Sequence, residues 1–328
     1  MSYSRRQIVS MLAGGAVAPA CPSLSRAQAY PSRPIRLVVP FPPGGAFDTV
    51  GRPWAEAIKP HLGTVVVENM GGAGSSLGAA AAARAEPDGH TILLGGTQTH
   101  VNEALLKSRP LYDPVKDLDP IAGIAAYPLC IAVNPGVPAQ NLTELIAHGK
   151  AGATLSYGHA GVGSIQHLTG ELFKSLAGTP GMVQVPYRGT GPAITDLVSG
   201  HIQIAVLGLT GQIIEFHRSG KMRVLAVTGP NRLAAASELP TAVEAGVPGL
   251  VATGLIGLLA PTRTPRSIVD QVAQATRKVL ADPNYRQLLV GAGMEPSSAS
   301  TPESFRKALA DDITLWTPVV RSLALKVD

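Results

Sequence analysis

The sequence predicts an α/β fold of two lobes built on mostly parallel sheets and joined at a hinge. Strand and helix signals alternate from Tyr30 onward. Each half carries a strand–glycine turn–helix unit, at 41–48 and at 158–164. The pattern restarts near Ala126 and returns near Gly254. That assigns 30–126 and 255–328 to lobe 1 and 127–254 to lobe 2, and two crossings between lobes are what a hinge requires.

The elements follow in order. Ile35–Val39 is a short apolar run, read as a buried strand. Pro42, Pro43, Gly44 and Gly45 continue neither strand nor helix, so they form a turn. A helix follows within 48–62, where Pro53 removes one N–H bond and delays or kinks the first turn. A strand at 64–68 leads to the loop Asn69-Met-Gly-Gly-Ala-Gly74 and an Ala-rich helix over 76–85. After the turn Pro87-Asp88-Gly89, a third strand at 91–94 ends in Gly95-Gly-Thr-Gln-Thr99. After Tyr112-Asp-Pro114 and Leu118-Asp-Pro120 the pattern restarts with a strand at 126–133.

A helix over 141–150 has Asn141 or Thr143 near its cap, and a strand at 155–157 runs into Gly158-His-Ala-Gly-Val-Gly-Ser164. The helix after it places Ile165, Leu168, Leu172 and Leu176 at helical spacing. A strand at 183–185 leads into Pro186-Tyr-Arg-Gly-Thr-Gly-Pro192, where Pro192 suits the first turn of a helix ended by Gly200. Strands are expected at 202–207 and 224–228, with an apolar segment at 254–260. Two or three helices close the chain and pack back on lobe 1. Ile268, Val272, Val279 and Leu280 form a core-facing stripe, and Thr301-Pro302-Glu303 caps the last long helix.

Composition narrows the function. At 328 residues the chain suits two domains, and 45% hydrophobic with 4% aromatic residues implies a core of Ala, Val, Leu and Ile. The 36 Gly and 28 Pro are spread along the length, as in many short loops rather than disorder. Residues 1–29 hold Arg5, Arg6 and Arg26 and no acid, so the formal charge of +5 falls to +2 without them. That is too little for a nucleic-acid binder. Ser4-Arg5-Arg6-Gln7, the apolar run to Leu24 and Ala27-Gln28-Ala29 read as a twin-arginine export signal with its cleavage site. The mature chain then starts at Tyr30 in the periplasm; the alternative is a frayed N-terminal helix of a cytosolic protein. Cys21 lies in the leader, and its neighbours Ala18-Pro19-Ala20 fit a lipid anchor poorly. Cys130, within Leu129-Cys-Ile-Ala-Val133, reads as a buried thiol with no disulfide partner. No later run is long and apolar enough for a membrane span.

A strand feeding a glycine turn and a helix exposes free backbone N–H groups, an anion site without basic side chains. The turns at 41–48, 158–164 and 187–192 offer three such starts, with Arg188 and His159 their only basic side chains. The expected anion is a carboxylate; the alternative is that the glycines serve only tight turns. Asp48 either caps the first helix or points into the cleft. Gly74-Ser-Ser-Leu-Gly78 formally matches a nucleophile elbow with Ser76, but five loop residues separate it from its strand and no His or acid is nominated. A dinucleotide loop at Gly72-x-Gly74-x-x-x-Gly78 lacks the acid expected near Leu94. His90, His100, His148, His167, His201 and His217 show no metal spacing, so no metal and no cofactor is expected.

Taken together, Val39-Pro-Phe-Pro-Pro-Gly-Gly-x-x-Asp48, Glu68-Asn-x-x-Gly-Ala-Gly74, Gly161-x-Gly163-Ser164 with His167-Leu168 and Glu171-Leu-Phe173, Val185-Pro-Tyr-Arg-Gly189, Pro192-Ala193, Pro240-Thr-x-x-Glu-Ala-Gly246 and Gly257-Leu-Leu-Ala-Pro261 resemble the Bug/TctC family. These are extracytoplasmic solute-binding receptors of tripartite tricarboxylate transporters, and the resemblance covers essentially the whole mature chain. It implies a periplasmic binding protein of the Venus-flytrap type that clamps a small organic carboxylate, without catalysis, and passes it to a membrane permease. Carried over by position, the carboxylate would meet Phe41, Gly45, Ala46 and Asp48, with ordered water, and Gly163 and Ser164 from lobe 2. Thr97, Gln98 and Thr190 match further cleft positions. Pro53, the 205–209 stretch without its usual acid, and 253–256 without its usual aromatic pair depart from the family. Leu207, Leu209, Leu255 and Ile256 would offer few polar partners to the distal end of the guest if they border the cleft. The chain is expected to be a monomer. The competing readings are a secreted serine hydrolase using Ser76 and a receptor feeding a signalling system.

Overall fold

The computed structural model describes residues 30–322. The twin-arginine start, the cleavage site and Cys21 lie outside the described residues.

Lobe 1 opens with β1 (Ile35–Val39), α1 (Ala46–Ala57), α2 (Lys59–Leu62), β2 (Val65–Asn69), α3 (Ser76–Ala83), β3 (Thr91–Gly96) and α4 (Thr97–Val101). Asn102–Leu106 continues α4 as a single turn of π-helix. The long strand β4 (Leu118–Val133) follows, then α5 (Leu142–Lys150), β5 (Ser156–His159), α6 (Ile165–Ala177), β6 (Val183–Pro186), α7 (Thr190–Ser199), β7 (Ile204–Gly208), α8 (Gly211–Arg218) and β8 (Arg223–Val227). The chain returns through β9 (Thr253–Pro261) and ends with α9 (Arg266–Ala281), α10 (Pro283–Gly291), β10 (Glu295–Pro296) and α11 (Pro302–Ser322).

β4 joins the lobes. Up to Pro128 it pairs antiparallel with β9, and from Leu129 onward with β7 and β8. In lobe 1, β2 and β3 flank β1 in parallel, and β3 pairs antiparallel with β9. In lobe 2, β6 and β7 flank β5 in parallel. The parallel triplets are the α/β units read from the sequence, and the strands that cross or border the lobes run against them. At the crossing, Tyr127 pairs with Gly254, where an added Cβ would lie 2.6 Å from the tyrosine oxygen. Only glycine lets the ring lie flat there.

Most elements fall where periodicity places them, with physical reasons for the differences. β4 starts at Leu118, eight residues before the expected strand. Pro120 within it sits at a register shift, where a proline's missing N–H costs no ladder bond. α1 runs through Pro53, with Trp54 fully buried beneath it. Burying such a side chain contributes about 1.5–3 kcal/mol, comparable to the cost of the proline. On α6, Ile165 and Leu168 are buried as expected, but the stripe then turns to Phe173 and Ala177, leaving Leu176 46% exposed. α8 was not anticipated; Thr210 caps it by accepting the Ile213 N–H. Asn141 caps α5 by accepting the Glu144 N–H at 2.9 Å, and Glu144 accepts the Gln140 N–H in return. α11 packs on β4 and α4, so the C-terminal helix does return to lobe 1. Cys130 is fully buried in lobe 2, and burial pushes its thiol up to about 12. Among the described residues no helix is long and apolar enough to cross a membrane.

Candidate functional site

The β1–α1 turn is fixed by Asp48. Its carboxylate accepts the Gly44 N–H at 3.2 Å, the Arg52 Nε–H at 3.0 Å and the Asn69 Nδ2–H at 3.1 Å. Asn69 also donates to the Phe41 carbonyl at 2.9 Å, tying the turn to the end of β2. Burial pushes the Asp48 carboxyl up, but these bonds from Arg52, Asn69 and Gly44 outweigh it and hold the group below the usual carboxylate range. Asp48 therefore braces the turn from within lobe 1. The helix it serves, α1, has Gly45 at its N-cap and no side-chain cap, so its first N–H groups keep their bonding capacity.

Gly45, Ala46 and Phe47 at this helix start line a small cavity between the lobes. Phe41 and Pro42, Gln98 at the start of α4, Thr190 at the start of α7, and Ala160 and Gln166 from lobe 2 complete it. Gln98 is 1% exposed, and neither its amide oxygen nor its amide nitrogen has a hydrogen-bond partner. Gln166, 4% exposed, has an unpartnered amide oxygen. A buried polar group left unpaired costs about 1–3 kcal/mol, so orphans collected around one cavity mark a place built for a polar guest. The cavity holds about 10 Å³, room for roughly one water, so a larger guest enters only as the lobes part.

Five of the nine expected residues meet at this cavity: Phe41, Gly45, Ala46, Gln98 and Thr190. The other four stand beside it. Thr97 donates to Asp312 of α11 and accepts the Leu255 N–H at 2.8 Å, so its hydroxyl is spent on lobe 1. Asp48 supports the turn from behind. Ser164 caps α6 by accepting the His167 N–H at 3.1 Å, and Gly163 donates its N–H to His167 Nδ1 at 3.1 Å. Both are buried where lobe 2 meets Asn102 and Gly74 of lobe 1. His167 stacks on His159, ring centroids 4.6 Å apart. Burial and then its neighbour His159 push His167 down to about 4, so this support of the α6 start is neutral at ordinary pH.

Gln166 was not picked out from the sequence. It sits on α6 directly after a capped start, and only the approach of α1 and α7 turns that face into a cavity wall. Leu207, Leu209 and Ile256 are fully buried in the cores and Leu255 packs against one, so none of the four borders the cavity at the α1 start. Ser76, the nucleophile candidate, is fully buried, and its hydroxyl accepts from Asn102 Nδ2 at 3.0 Å. No group of three or more His, Cys, Asp or Glu able to hold a metal occurs among the described residues.

This arrangement has known counterparts. A model of the family described as tripartite tricarboxylate transporter family receptor matches residues 50–325. The chain belongs to that family. Among relatives of this receptor family, protein BugT of Bordetella pertussis is 33% identical over 305 residues, covering 92% of both chains. A solved structure of a periplasmic transporter is 38% identical with a TM-score of 0.87, covering 92% of this chain and all of the other. The R. palustris protein Rpa4515, solved with adipate, is 30% identical with a TM-score of 0.86, covering 90% of this chain and 99% of that one. The receptor thus shares the two-lobed periplasmic binding protein fold along nearly its whole described length.

Proposed function

We propose that this receptor captures a small organic carboxylate between its lobes in the periplasm and delivers it to the membrane components of a tripartite transporter. The observation that carries this reading is Gln98, whose buried amide is wholly unpartnered in a cavity where uncapped α1 and α7 begin. Helix starts favour a negative guest, and the adipate bound by Rpa4515 is of the matching class. Gly45, Ala46, Thr190 and Gln98 supply donors, Phe41 covers the guest, and Ser164 keeps its hydroxyl proton free to donate as the lobes close. Asp48 and Thr97 hold donors in place. Gln166 joins the set as an acceptor, suited to an ordered water or a hydroxyl of the guest.

The lobes of this reading are 30–126 with 255–328, and 127–254, hinged where β4 changes partners. The protein works as a monomer and performs no catalysis: Ser76 is fully buried and its oxygen accepts from the Asn102 amide. Export by the twin-arginine route completes the picture. Mass spectrometry of the molecule released from freshly purified protein identifies the guest, and calorimetry then compares the free acid with its full methyl ester. The acid is expected to bind and the ester not to. Equal binding of both would overturn the carboxylate reading, and ester hydrolysis lost in Ser76→Ala would favour the hydrolase.

A further inference from the structure

One carboxylate reaches the residue next to the lining of the inner cavity. Asp312, on α11, accepts the Thr97 hydroxyl, and Thr97 immediately precedes Gln98, whose unpartnered amide lines that cavity. The Thr97 oxygen also accepts the Leu255 N–H at 2.8 Å, beside Gly254, which pairs with Tyr127 where β4 crosses between the lobes. Thr97 is fully buried and Asp312 half-buried. Asp312 thus stands behind both the cavity and the crossing.

Its charge has no counterion. Among the described residues no basic group pairs with it. α11 packs on β4, α4, the π-turn and α9. β4 contributes Tyr127, whose phenol is pushed up by burial and then by the Asp312 charge. α4 carries His100, neutral at ordinary pH because burial pushes it down to about 4. The π-turn carries Glu103, a buried acid that accepts the Leu111 N–H. On α9, Arg266 pairs with Asp270 and Glu303, and Arg277 and Lys278 are exposed. On α11 itself, Arg306 pairs with Asp119 and Lys307 with Asp311. Burial, and then neighbouring Asp311, push the Asp312 carboxyl up to about 6 against the Thr97 bond.

We propose that capture of the guest is proton-coupled, an anion in the inner cavity drawing a proton from solvent onto Asp312. This rests on the carboxylate reading of that cavity and deepens it. Two like charges in a poorly screened interior each disfavour the ionised form of the other. The α1 and α7 starts favour an ionised guest, so the proton goes to Asp312 instead. Asp312 Oδ2 goes on accepting the Thr97 hydroxyl while Oδ1 takes the proton, so the bonds to Thr97 and Leu255 survive. Binding and protonation favour each other by the same factor. The guest is therefore held more tightly as pH falls through about 6.

The test is calorimetry with sodium succinate, malate and adipate between about pH 5 and about pH 8, on wild type and Asp312→Asn. The variant keeps an acceptor for Thr97 and carries no charge at either pH. Comparing the two proteins at each pH removes the guest's own titration, and thermal melts show that both are folded. They are expected to bind alike near pH 5, with wild type about three- to tenfold weaker than the variant near pH 8. Heats near pH 6 in phosphate and imidazole buffers should count about 0.2–0.4 more protons taken up per guest by wild type than by the variant. Asp311→Asn, at an exposed position, should move the affinity change to lower pH. A constant affinity ratio across the range, or equal proton uptake by the two proteins, would overturn the coupling and leave the carboxylate site standing. If none of the three acids bound at any pH, the carboxylate reading would fall and the coupling with it.

Discussion

A Cβ added to Gly163 of lobe 2 would lie 2.2 Å from Oδ1 of Asn102 in lobe 1. Asn102 is fully buried, and its Nδ2 donates to Ser76 Oγ at 3.0 Å and to the Gly74 carbonyl at 3.3 Å. It therefore presses the 73–76 loop and the start of α6 together, at the end of α4 where the helix widens into its π-turn. Gly163 also holds φ of +81°, so a side chain there is strained as well as crowded. Gly163→Ala should leave each lobe folded but hold the lobes apart. We expect at least tenfold weaker binding of the identified guest and a larger radius of gyration by small-angle scattering. An unchanged radius with unchanged affinity would show that the contact does not limit closure.

Removing the brace under the β1–α1 turn should act on both stability and binding. Asp48→Ala leaves the Gly44 N–H and the Asn69 amide short of an acceptor inside the turn. We expect a loss of about 1–3 kcal/mol in urea unfolding and a weaker site, because the turn carries Gly45 and Ala46. Denaturation and calorimetry on the same variant check this; full stability would mean that the turn is held by its prolines alone.

Two buried histidines set an acid limit. Burial pushes His100 and His167 down to about 4, below the ordinary histidine value of about 6.5. The unfolded chain takes up protons that the folded chain refuses, so this contribution is complete above about pH 6.5 and is lost as pH falls toward 4. Each can cost at most about 3 kcal/mol over that range. Urea midpoints should fall steadily between those values, and His167→Gln should flatten the slope. A flat wild-type profile would count against buried neutral histidines.

Asp312 works in the opposite sense. Burial pushes its carboxyl up to about 6, against the Thr97 hydroxyl bond that lowers it. Its folded value lies above the unfolded one, so the protonated form is favoured and stability is lost as pH rises from about 4 to about 6. Asp312→Asn keeps an acceptor for Thr97 and removes the buried charge. It should stabilise the protein by about 1–3 kcal/mol at pH 7 and change little at pH 4. Thermal melts at the two values decide it, and equal gains at both would remove the carboxyl from the account.

Local chemistry alone determined much of this protein. Period-two and period-3.6 patterns placed the parallel triplets, and Pro42-Pro43-Gly44-Gly45 could only be a turn before a helix. Asn141 and Thr301 announced their caps because a side-chain oxygen needs only the N–H groups of the next turn. Glycine-rich helix starts pointed to an anion, and the order of motifs resembled one receptor family. The tertiary structure decided which of those groups share a cavity. Asp48 and Thr97 stand as candidate ligands in a linear motif, and only the fold shows their bonds to Arg52, Asn69 and Asp312, brought in from a helix turn, a strand end and the last helix. Gln166 carries no local signal at all. It lines the inner cavity because β4 carries the chain across and folds lobe 2 against lobe 1, and such non-local approach leaves no periodicity in the sequence to read.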